Sequence, residues 1–573
     1  MKRYFPILDW LPNYSKKQFK GDLPAGLTVG VILVPQGMAY AMIAGLPPVY
    51  GLYAALFPQL VYAILGTSRQ LAVGPVALDS LLVASGLGAL KLSGITDYIS
   101  MAIFLAFFMG CIQLFLGLLR MGFLVNFLSK PVISGFTSAA ALIIGFSQLK
   151  HLMGVSIEGS SHIHEAVVNT FQVIGQTNLY TLGIGIAGIL IILLLRKWKR
   201  AFPASLFVVL LGIALMYFSN LQESGVQLVG AIPKGLPAFH FTTPSQEQFV
   251  AIFPIALALA LVAFTEAVSI GKSLEHKHDD YKVDASQELV ALGSANIIGS
   301  LFQSYPTTGG FSRSAVNHEA GAKTGMAAVI AAIIVAATLL FLTPVFYFLP
   351  KAALASIIMV AVLGLMDFKY PIHLLRNHRD EFLLLLITFM VTLFIGIIQG
   401  IIVGVLFSLL LLVYRTAKPH IAELSRITGT NYFKNVERFP NEVEHRTDLL
   451  IFRFDGQLYF GNTNYFKSEL AKRSGKKGAQ LRAIILNAES LNYIDSTGGN
   501  VLLNVIKEMK KKGVRFMISG AIGPTRDKLF KNGIIDELGE ENLFIQTHEA
   551  VDFLDKGKAN TDMQNKIVRQ TKP

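Results

Sequence analysis

The segment that decides the fold is a short, polar, glycine-rich stretch between two apolar ones, Tyr305-Pro306-Thr307-Thr308-Gly309-Gly310-Phe311-Ser312-Arg313-Ser314. A second unusual segment lies earlier, where the polar turn Gly66-Thr67-Ser68-Arg69-Gln70 precedes Val73-Gly74-Pro75-Val76-Ala77 at the head of an apolar run. Irregular backbone of this kind is tolerated inside a membrane only where protein or a cavity satisfies its polar groups. Both segments therefore predict interrupted membrane helices.

The surrounding sequence has the composition of a membrane protein. Of its 573 residues, 53% are hydrophobic and 15% are charged, against about a quarter charged in an ordinary soluble domain. A helix that crosses a bilayer needs about 20 mostly apolar residues. Apolar stretches predict fourteen spans, at 24–44, 47–66, 70–90, 101–119, 131–150, 177–195, 204–219, 250–271, 285–302, 305–316, 324–343, 351–366, 381–398 and 400–416.

The two unusual segments are the third and tenth of these spans, so each is third in a set of seven. Because each set has an odd number of spans, the second is inserted upside down relative to the first. Interrupted segments at matching positions of an inverted repeat indicate a transport site at mid-membrane. The alternative, helix packing through glycines, does not explain why both are third.

The positions of the basic residues predict the orientation. The net charge of +13 fits the positive-inside rule better than nucleic-acid binding, because the charges cluster in loops predicted on one side. These loops hold Arg120, Lys130, residues 196–200 and 272–282, Lys369, Arg376 and Arg379. No cleavable signal peptide is visible before Asp22. Both termini are expected in the cytoplasm, with the chain in the cell's inner (plasma) membrane.

Beyond about Ile421 the sequence changes character, because charged residues become frequent and apolar runs shorten. Alternating strand and helix patterns there predict a small α/β domain. The expected organisation is a cytoplasmic segment at 1–22, a membrane domain at 23–418, a linker and start of the soluble domain at 419–443, the soluble domain proper at 444–557 and a polar, disordered tail at 558–573.

Arg313 lies within the tenth predicted span. Placing a cation at the membrane centre costs about 2.5–3.5 kcal/mol, which an anionic ligand or a buried carboxylate offsets. If the third and tenth spans begin in mid-membrane, each helix N-terminus adds about half a positive charge, and Ser312 and Thr308 add hydroxyl donors. Arg313 and the two helix N-termini together supply about two positive charges. This charge suits a dianion and is not too large for a monoanion. The alternative places Ser312 and Arg313 at an ordinary helix end on the cytoplasmic face.

Two acidic residues also lie in predicted spans. Glu266 is the sole charge in residues 251–271, and such a carboxylate is a candidate proton carrier or a structural partner of Arg313. The two roles are compatible. A carboxylate that pairs with Arg313 when the anion is absent, and binds a proton when the anion is present, would couple proton transport to anion transport. Asp79 either lines the cavity or caps a neighbouring helix, and we favour the structural role.

The first span carries two polar residues that share a helix face, Gln36 and Tyr40, which lie four residues apart. They offer amide and phenol donors to a ligand. Pro35 and Gly37 predict a local break in this helix.

Several other chemistries find no support in the sequence. Cys111 is the only cysteine, which excludes intrachain disulfides and cysteine-based metal sites. Residues 276–280 (His-Lys-His-Asp-Asp) and the pair His162 and His164 lack the spacing of a structural metal site. No GxxxxGK[ST] motif occurs. We expect no enzyme activity, no metal and no cofactor.

Five motifs, in order, resemble the sulfate permease (SulP) family. They are Pro35-Gln36-Gly37-Met38-Ala39-Tyr40, Pro47-Pro48-Val49-Tyr50-Gly51-Leu52-Tyr53, Gly66-Thr67-Ser68-Arg69, Gly74-Pro75-Val76-Ala77 and Thr308-Gly309-Gly310-Phe311-Ser312-Arg313-Ser314-Ala315-Val316-Asn317. The resemblance implies a polytopic α-helical protein with a seven-plus-seven inverted repeat of the uracil-transporter type. It also implies core and gate domains, a homodimer working by elevator motion, and a C-terminal STAS domain.

The resemblance also implies roles for individual residues. Those at positions where the family lines its anion site are Gln36, Tyr40, Val76, Ala77, Ser312 and Arg313, to which we add Thr308 and Phe311 from the same motif. Glu266 falls where proton-coupled members carry an acid. In the soluble domain, Asp495-Ser496-Thr497-Gly498 matches a phosphorylation motif, with Thr497 at the phosphoacceptor position, although in transporters this motif is often only structural.

The leading hypothesis is secondary active uptake of sulfate or a related inorganic oxyanion, driven by proton symport. Sodium-driven bicarbonate transport, or exchange of chloride, bicarbonate or dicarboxylates, is the alternative. A third possibility is a sensor whose membrane part only anchors the soluble domain. The expected partners are the anion, the proton, the lipid bilayer, a second copy of the chain and a cytoplasmic regulator of the STAS domain, with no nucleic acid.

Overall fold

The computed structural model describes residues 4–90, 92, 94–127, 129–156, 163–198, 202–219, 221–241, 244–277 and 281–557. His162, His278, Asp279, Asp280 and the predicted tail at 558–573 lie outside the described residues, as does the side chain of His164. The chain divides into two compact units, Met1–Ser408 and Leu409–Pro573.

The first unit is almost entirely helical. Its first ten helices are α1 (Ile7–Trp10), α2 (Lys16–Ile43), α3 (Val49–Ala54), α4 (Phe57–Leu65), α5 (Ala77–Gly88), α6 (Ile95–Leu118), α7 (Lys130–Met153), α8 (Ile163–Val173), α9 (Leu179–Trp198) and α10 (Ala204–Phe218). The next eight are α11 (Gln246–Glu275), α12 (Ala285–Leu301), α13 (Phe311–Glu319), α14 (Met326–Ala337), α15 (Lys351–Leu363), α16 (Lys369–Asn377), α17 (Arg379–Phe394) and α18 (Ile397–Ala417), the last of which contains the boundary between the units. Two short strands, β1 (Val73–Gly74) and β2 (Thr308–Gly309), interrupt the helices.

Seven helices in the described part of the chain are long and apolar enough to cross a membrane. They are α2, α6, α7, α9, α11, α18 and α14 together with its continuation to Phe348. Four shorter apolar segments, at Val49–Leu65, α5, α10 and α15, add to them. The protein is therefore a multi-pass helical membrane protein, while fourteen spans and the inverted repeat stay predictions.

Two local expectations differ from the structure. The predicted span 47–66 is two helices, because a new helix, α4, starts with Pro58 in its first turn, where a missing N–H costs nothing. The predicted break in α2 is absent, since that helix runs through Pro35. Gly37 instead allows close packing, because a methyl group built there would lie 2.9 Å from the carbonyl oxygen of Gly51 in α3.

The basic loops predicted at 196–200 and 369–379 are partly helical. Arg196 and Lys197 form the last turn of α9, and Lys369 and Arg376 belong to α16. Basic side chains interact favourably with the negative end of a helix, so α9 continues beyond its apolar run. This extension carries Arg196, which borders the cavity where α5 and α13 begin.

The two interrupted segments meet in the middle of the first unit. Strands β1 and β2 pair antiparallel, with Val73 opposite Gly309 and Gly74 opposite Thr308. The Gly310 N–H donates to the Ala72 carbonyl at 3.0 Å, and the Ala72 N–H donates to Ser314 Oγ at 2.9 Å. Since α5 and α13 follow within a few residues, this pairing holds the N-termini of two short helices together, and the predicted interruptions are confirmed.

The second unit is an α/β domain. Its strands are β3 (His420–Arg426), β4 (Phe433–Asn435), β5 (Leu449–Asp455), β6 (Ala483–Asn487), β7 (Arg515–Ser519) and β8 (Leu543–Phe544), in the sheet order β4-β3-β5-β6-β7-β8. Its helices are α19 (Thr463–Lys477), α20 (Ser496–Lys511), α21 (Gly523–Lys531), α22 (Ile534–Leu538) and α23 (Thr547–Lys556). Strands β5 to β8 are parallel and β3 is antiparallel to both neighbours. Strands β3 and β4 lie in the range 419–443, predicted as linker and start of this domain.

Candidate functional site

A cavity of about 420 Å³ opens where α5 and α13 begin. Its polar and charged lining comes from Gln36, Tyr40, Arg196, Glu266, Ser312, Arg313 and Glu319. Val76, Ala77 and Phe311 add apolar side chains to its wall. All the residues predicted for the site except Thr308 thus border one cavity.

The guanidinium of Arg313 is the most deeply buried cation of this lining. The residue is 2% exposed, and its Nε and Nη2 have no hydrogen-bond partner among the residues that the structure describes. It rests on two glycines, because a methyl group built on Gly310 would lie 2.6 Å from Nη2, and one on Gly74 would lie 3.6 Å from the same atom. Buried donors without partners are rare in proteins and call for an explanation such as a ligand. For a guanidinium, that ligand is an anion.

The N-termini of α5 and α13 add to the positive potential around Arg313. Their N-cap residues, Val76 and Gly310, make no side-chain capping bond. The first N–H groups of a helix have no partner within it, and the helix dipole adds about half a positive charge at that end. This accounts for apolar residues such as Val76 and Ala77 at the site, since their backbone supplies the donors.

Glu266 reaches the same cavity from α11. Its Oε2 is buried and has no hydrogen-bond partner in the described part of the chain. The charges of Glu266 and Arg313 act on each other, but Glu266 Oε2 makes no bond to Arg313 Nε or Nη2. The Glu266 carboxylate is thus close enough to Arg313 for their charges to interact, but Oε2 is not hydrogen-bonded to Nε or Nη2. This oxygen can therefore accept a proton.

Gln36 and Tyr40 share one face of α2, as their spacing predicts. Both are buried, at 2% and 6% exposed, and Gln36 Oε1 has no hydrogen-bond partner within the described residues. Phe311 and Ser312 are exposed, so the first residues of α13 face the open cavity.

Two predictions about individual residues do not fit the structure. Thr308 is absent from the cavity lining, because its hydroxyl donates to the Ala263 carbonyl at 2.7 Å and ties β2 to α11. Asp79, which we expected to cap a helix, caps nothing, because neither carboxylate oxygen has a hydrogen-bond partner among the described residues.

Sequence reasoning missed two charged residues of the cavity, Arg196 and Glu319. Arg196 is half-buried in the last turn of α9, and its charge interacts with Tyr40. Its position directly after an apolar run of helical length was the available signal, since the first basic residue after such a run often belongs to the helix. Glu319 is the last residue of α13.

In the soluble unit, the predicted phosphorylation motif opens α20. Asp495 caps the helix, accepting hydrogen bonds from Gly498 N at 2.7 Å and Phe460 N at 2.9 Å. Ser496 and Thr497 are exposed in the first helical turn. Their hydroxyls are accessible to a modifying enzyme. Among the residues that the structure describes, no group of His, Cys, Asp and Glu is arranged to hold a metal ion.

Comparisons with known proteins agree with this picture. Residues 19–388 match the sulfate permease family, and residues 441–550 match the STAS domain. The chain is 38% identical to the chloroplastic sulfate transporter 4.1 of Arabidopsis thaliana, over 99% of this chain and 85% of the relative. It is 40% identical to the probable sulfate transporter 4.2 of the same plant, over 96% and 83%.

A solved structure has the same fold. The murine solute carrier 26 family member A9, an anion transporter in the inward-facing state, superposes with a TM-score of 0.89 and 26% identity, covering 96% of this chain and 94% of that one. The family match spans most of the chain, and the cavity holds a buried guanidinium with free donors. The fold and the site therefore both indicate an anion transporter. The chain is a member of the sulfate permease family, a multi-pass membrane anion transporter with a STAS domain rather than an enzyme.

Proposed function

We propose that the chain takes up sulfate or a related inorganic oxyanion together with protons, by secondary active transport. The observation that carries the proposal is the buried guanidinium of Arg313, whose Nε and Nη2 have no partner within the described residues, at the N-termini of two helices. Arginine binds tetrahedral oxyanions through two parallel N–H donors. Sulfate is favoured among them, since the relatives compared above are named as sulfate transporters.

The bound anion lies against Arg313, with the backbone N–H groups of residues 76–78 and 311–313 as further donors. Ser312, Gln36 and Tyr40 complete its hydrogen bonds from the cavity wall. Glu266 takes a proton when the anion occupies Arg313, because a neutral carboxyl no longer repels the anion. Thermodynamic linkage then requires that the proton and the anion favour each other's binding.

Transport further requires that the cavity face each side of the membrane in turn. We propose the elevator motion of a homodimer, in which the part carrying α5 and α13 moves relative to the part carrying α9. We also propose that both termini lie in the cytoplasm and that the chain lies in the cell's inner (plasma) membrane. Thr497 or Ser496 serves as a phosphorylation site through which a cytoplasmic partner regulates uptake.

Purified protein in liposomes, with labelled sulfate outside and an inward proton gradient, tests the proposal. Sulfate is expected to accumulate against its gradient, and excess unlabelled selenate to compete. Accumulation driven by sodium instead of protons, or competition by bicarbonate but not selenate, would support the bicarbonate alternative. Absence of flux would contradict transport.

Replacing Gly310 by alanine is expected to reduce kcat/KM for sulfate by about 10- to 100-fold. The new methyl group would lie 2.6 Å from Arg313 Nη2 and 2.7 Å from Cζ, so the guanidinium must leave its position. Gly145→Ala in α7 is the matched control, because a methyl group there has no heavy atom within 4 Å. Equal kinetics of the two variants in the liposome assay would show that the position of Arg313 does not matter.

Replacing Arg196 by glutamine is expected to raise KM for sulfate about fivefold with little change in kcat. A charge on the wall of a hydrated cavity contributes about 1 kcal/mol at a separation of about 4 Å, which is about fivefold in affinity. Lys197→Gln removes the same charge from the next residue, which is exposed and does not line the cavity. If both variants raise KM equally, the increase comes from the loss of general surface charge, and Arg196 does not contribute to anion binding.

A further inference from the structure

Asp79 is a buried acid that the proposed function does not use. It lies in the first turn of α5, the helix whose N-terminus faces the cavity, and it is 0% exposed. Neither of its carboxylate oxygens has a hydrogen-bond partner among the residues that the structure describes. A buried carboxylate without donors is strongly destabilising, so this residue requires an explanation.

Other buried acids of the same unit show what a structural carboxylate looks like in this protein. Asp22 accepts hydrogen bonds from Lys323 N at 2.6 Å, Thr324 N at 3.0 Å and Thr324 Oγ1 at 2.6 Å. Glu288 accepts them from Tyr62 Oη at 2.7 Å, Thr67 N at 2.8 Å and Thr67 Oγ1 at 2.5 Å. Both are 0% exposed, like Asp79. Each is satisfied by three or more donors, and Asp79 by none, so it does not belong to this structural class.

In the part of the chain that the structure describes, the carboxylate that acts on Asp79 is Glu266. Helix α11 packs against α5, and the charge of its Glu266 acts on Asp79. Among the described residues, Tyr305 before β2 interacts with Asp79, and Tyr40 of α2 and Arg313 of α13 interact with Glu266. Arg196 and Glu319 border the same cavity as Glu266. The hydroxyl of Tyr305 is bonded to Ser80 Oγ at 3.1 Å. Within the described residues, Asp79 therefore faces the like charge of Glu266, while Arg313 acts on Glu266.

An ionised Asp79 would oppose anion binding. A negative charge in the first turn of a helix offsets the positive end of its dipole, which is the end that the anion uses. A proton on Asp79 removes this competition, and a bound anion in turn favours the proton, because coupling between two ligands is reciprocal.

We propose that Asp79 is a second proton-carrying residue, so that each dianion is transported with two protons, one on Glu266 and one on Asp79. Each carboxylate takes one proton from the side where the anion binds and releases it on the other side, where the anion leaves. Two protons and one sulfate carry no net charge across the membrane. This inference rests on the proposed proton-coupled uptake and extends it to the number of protons.

The number of protons is measured from the equilibrium accumulation of labelled sulfate in liposomes whose membrane potential is held at zero. One unit of pH gradient multiplies the accumulation ratio by about ten for each coupled proton. The native protein is expected to reach about 100-fold, and Asp79→Asn, which retains the shape but cannot carry a proton, about 10-fold. Asp97→Asn, in the exposed first turn of α6, is the matched control and should keep about 100-fold.

Three outcomes separate the claims. A native ratio that does not respond to the pH gradient contradicts proton-coupled uptake itself. A native ratio of about tenfold, or an Asp79→Asn protein that matches the native one, overturns the role of Asp79 alone. Exchange of labelled for unlabelled sulfate needs no net proton movement, so it shows whether the Asp79→Asn protein is folded. If Asp79→Asn has lost exchange, Asp79→Val is tested in its place. The accumulation ratio of the native protein gives the number of coupled protons, whichever variant is used.

Discussion

Replacing Arg313 by glutamine is expected to reduce kcat/KM for sulfate uptake by about 100-fold or more. Removing one partner of a buried, hydrogen-bonded charge pair costs about 2–5 kcal/mol, and about 3 kcal/mol corresponds to more than 100-fold. Arg313 is 2% exposed and is the most deeply buried cation of the cavity. The helix N-termini of α5 and α13 remain in the variant, so residual binding at high sulfate concentration is expected.

Arg313→Lys separates charge from geometry. Lysine retains the positive charge but lacks the planar pair of donors. The kcat/KM of Arg313→Lys for sulfate should therefore lie between those of the native protein and Arg313→Gln. Initial rates of labelled sulfate uptake at several concentrations give both parameters. If Arg313→Gln transports within about twofold of the native rate, which is less than 1 kcal/mol, the anion does not bind at this guanidinium.

Replacing Glu266 by glutamine is expected to lower the accumulation of sulfate by about tenfold per unit of pH gradient. The amide resembles the protonated acid in shape and charge, so the variant still binds the anion but carries one proton fewer. Exchange of labelled for unlabelled sulfate should therefore persist while concentrative uptake falls.

This contrast between exchange and accumulation distinguishes coupling from a structural role. A structural partner of Arg313 would, when lost, lower both activities together. An unchanged accumulation ratio in Glu266→Gln would show that another group carries the proton. The variant is tested at equal protein density in the liposomes, with the native chain alongside.

The sequence predicted those parts of the site that depend on local chemistry. Glycine-rich polar segments within apolar surroundings predicted the two interrupted helices, because such backbone needs protein partners in a membrane. The spacing of Gln36 and Tyr40 predicted a shared helix face, which the cavity confirms. These inferences needed only the chain's own periodicity and polarity.

Other features depend on contacts between distant segments, which periodicity does not reveal. Arg196 belongs to the cavity because α9 extends past its apolar run, and Thr308 is absent from it because a carbonyl of α11 lies 2.7 Å from its hydroxyl. The sequence favoured a structural role for Asp79, in which it caps a neighbouring helix. Only the three-dimensional arrangement shows that no donor reaches it within the described residues.

The position of the bound anion can be measured directly with selenate. Selenate has the charge and shape of sulfate, and its selenium scatters X-rays anomalously. Crystals grown with selenate are expected to show one anomalous peak within hydrogen-bond distance of Arg313 Nε or Nη2, between the N-termini of α5 and α13. A peak elsewhere in the membrane unit, with none beside Arg313 at saturating selenate, would contradict the account.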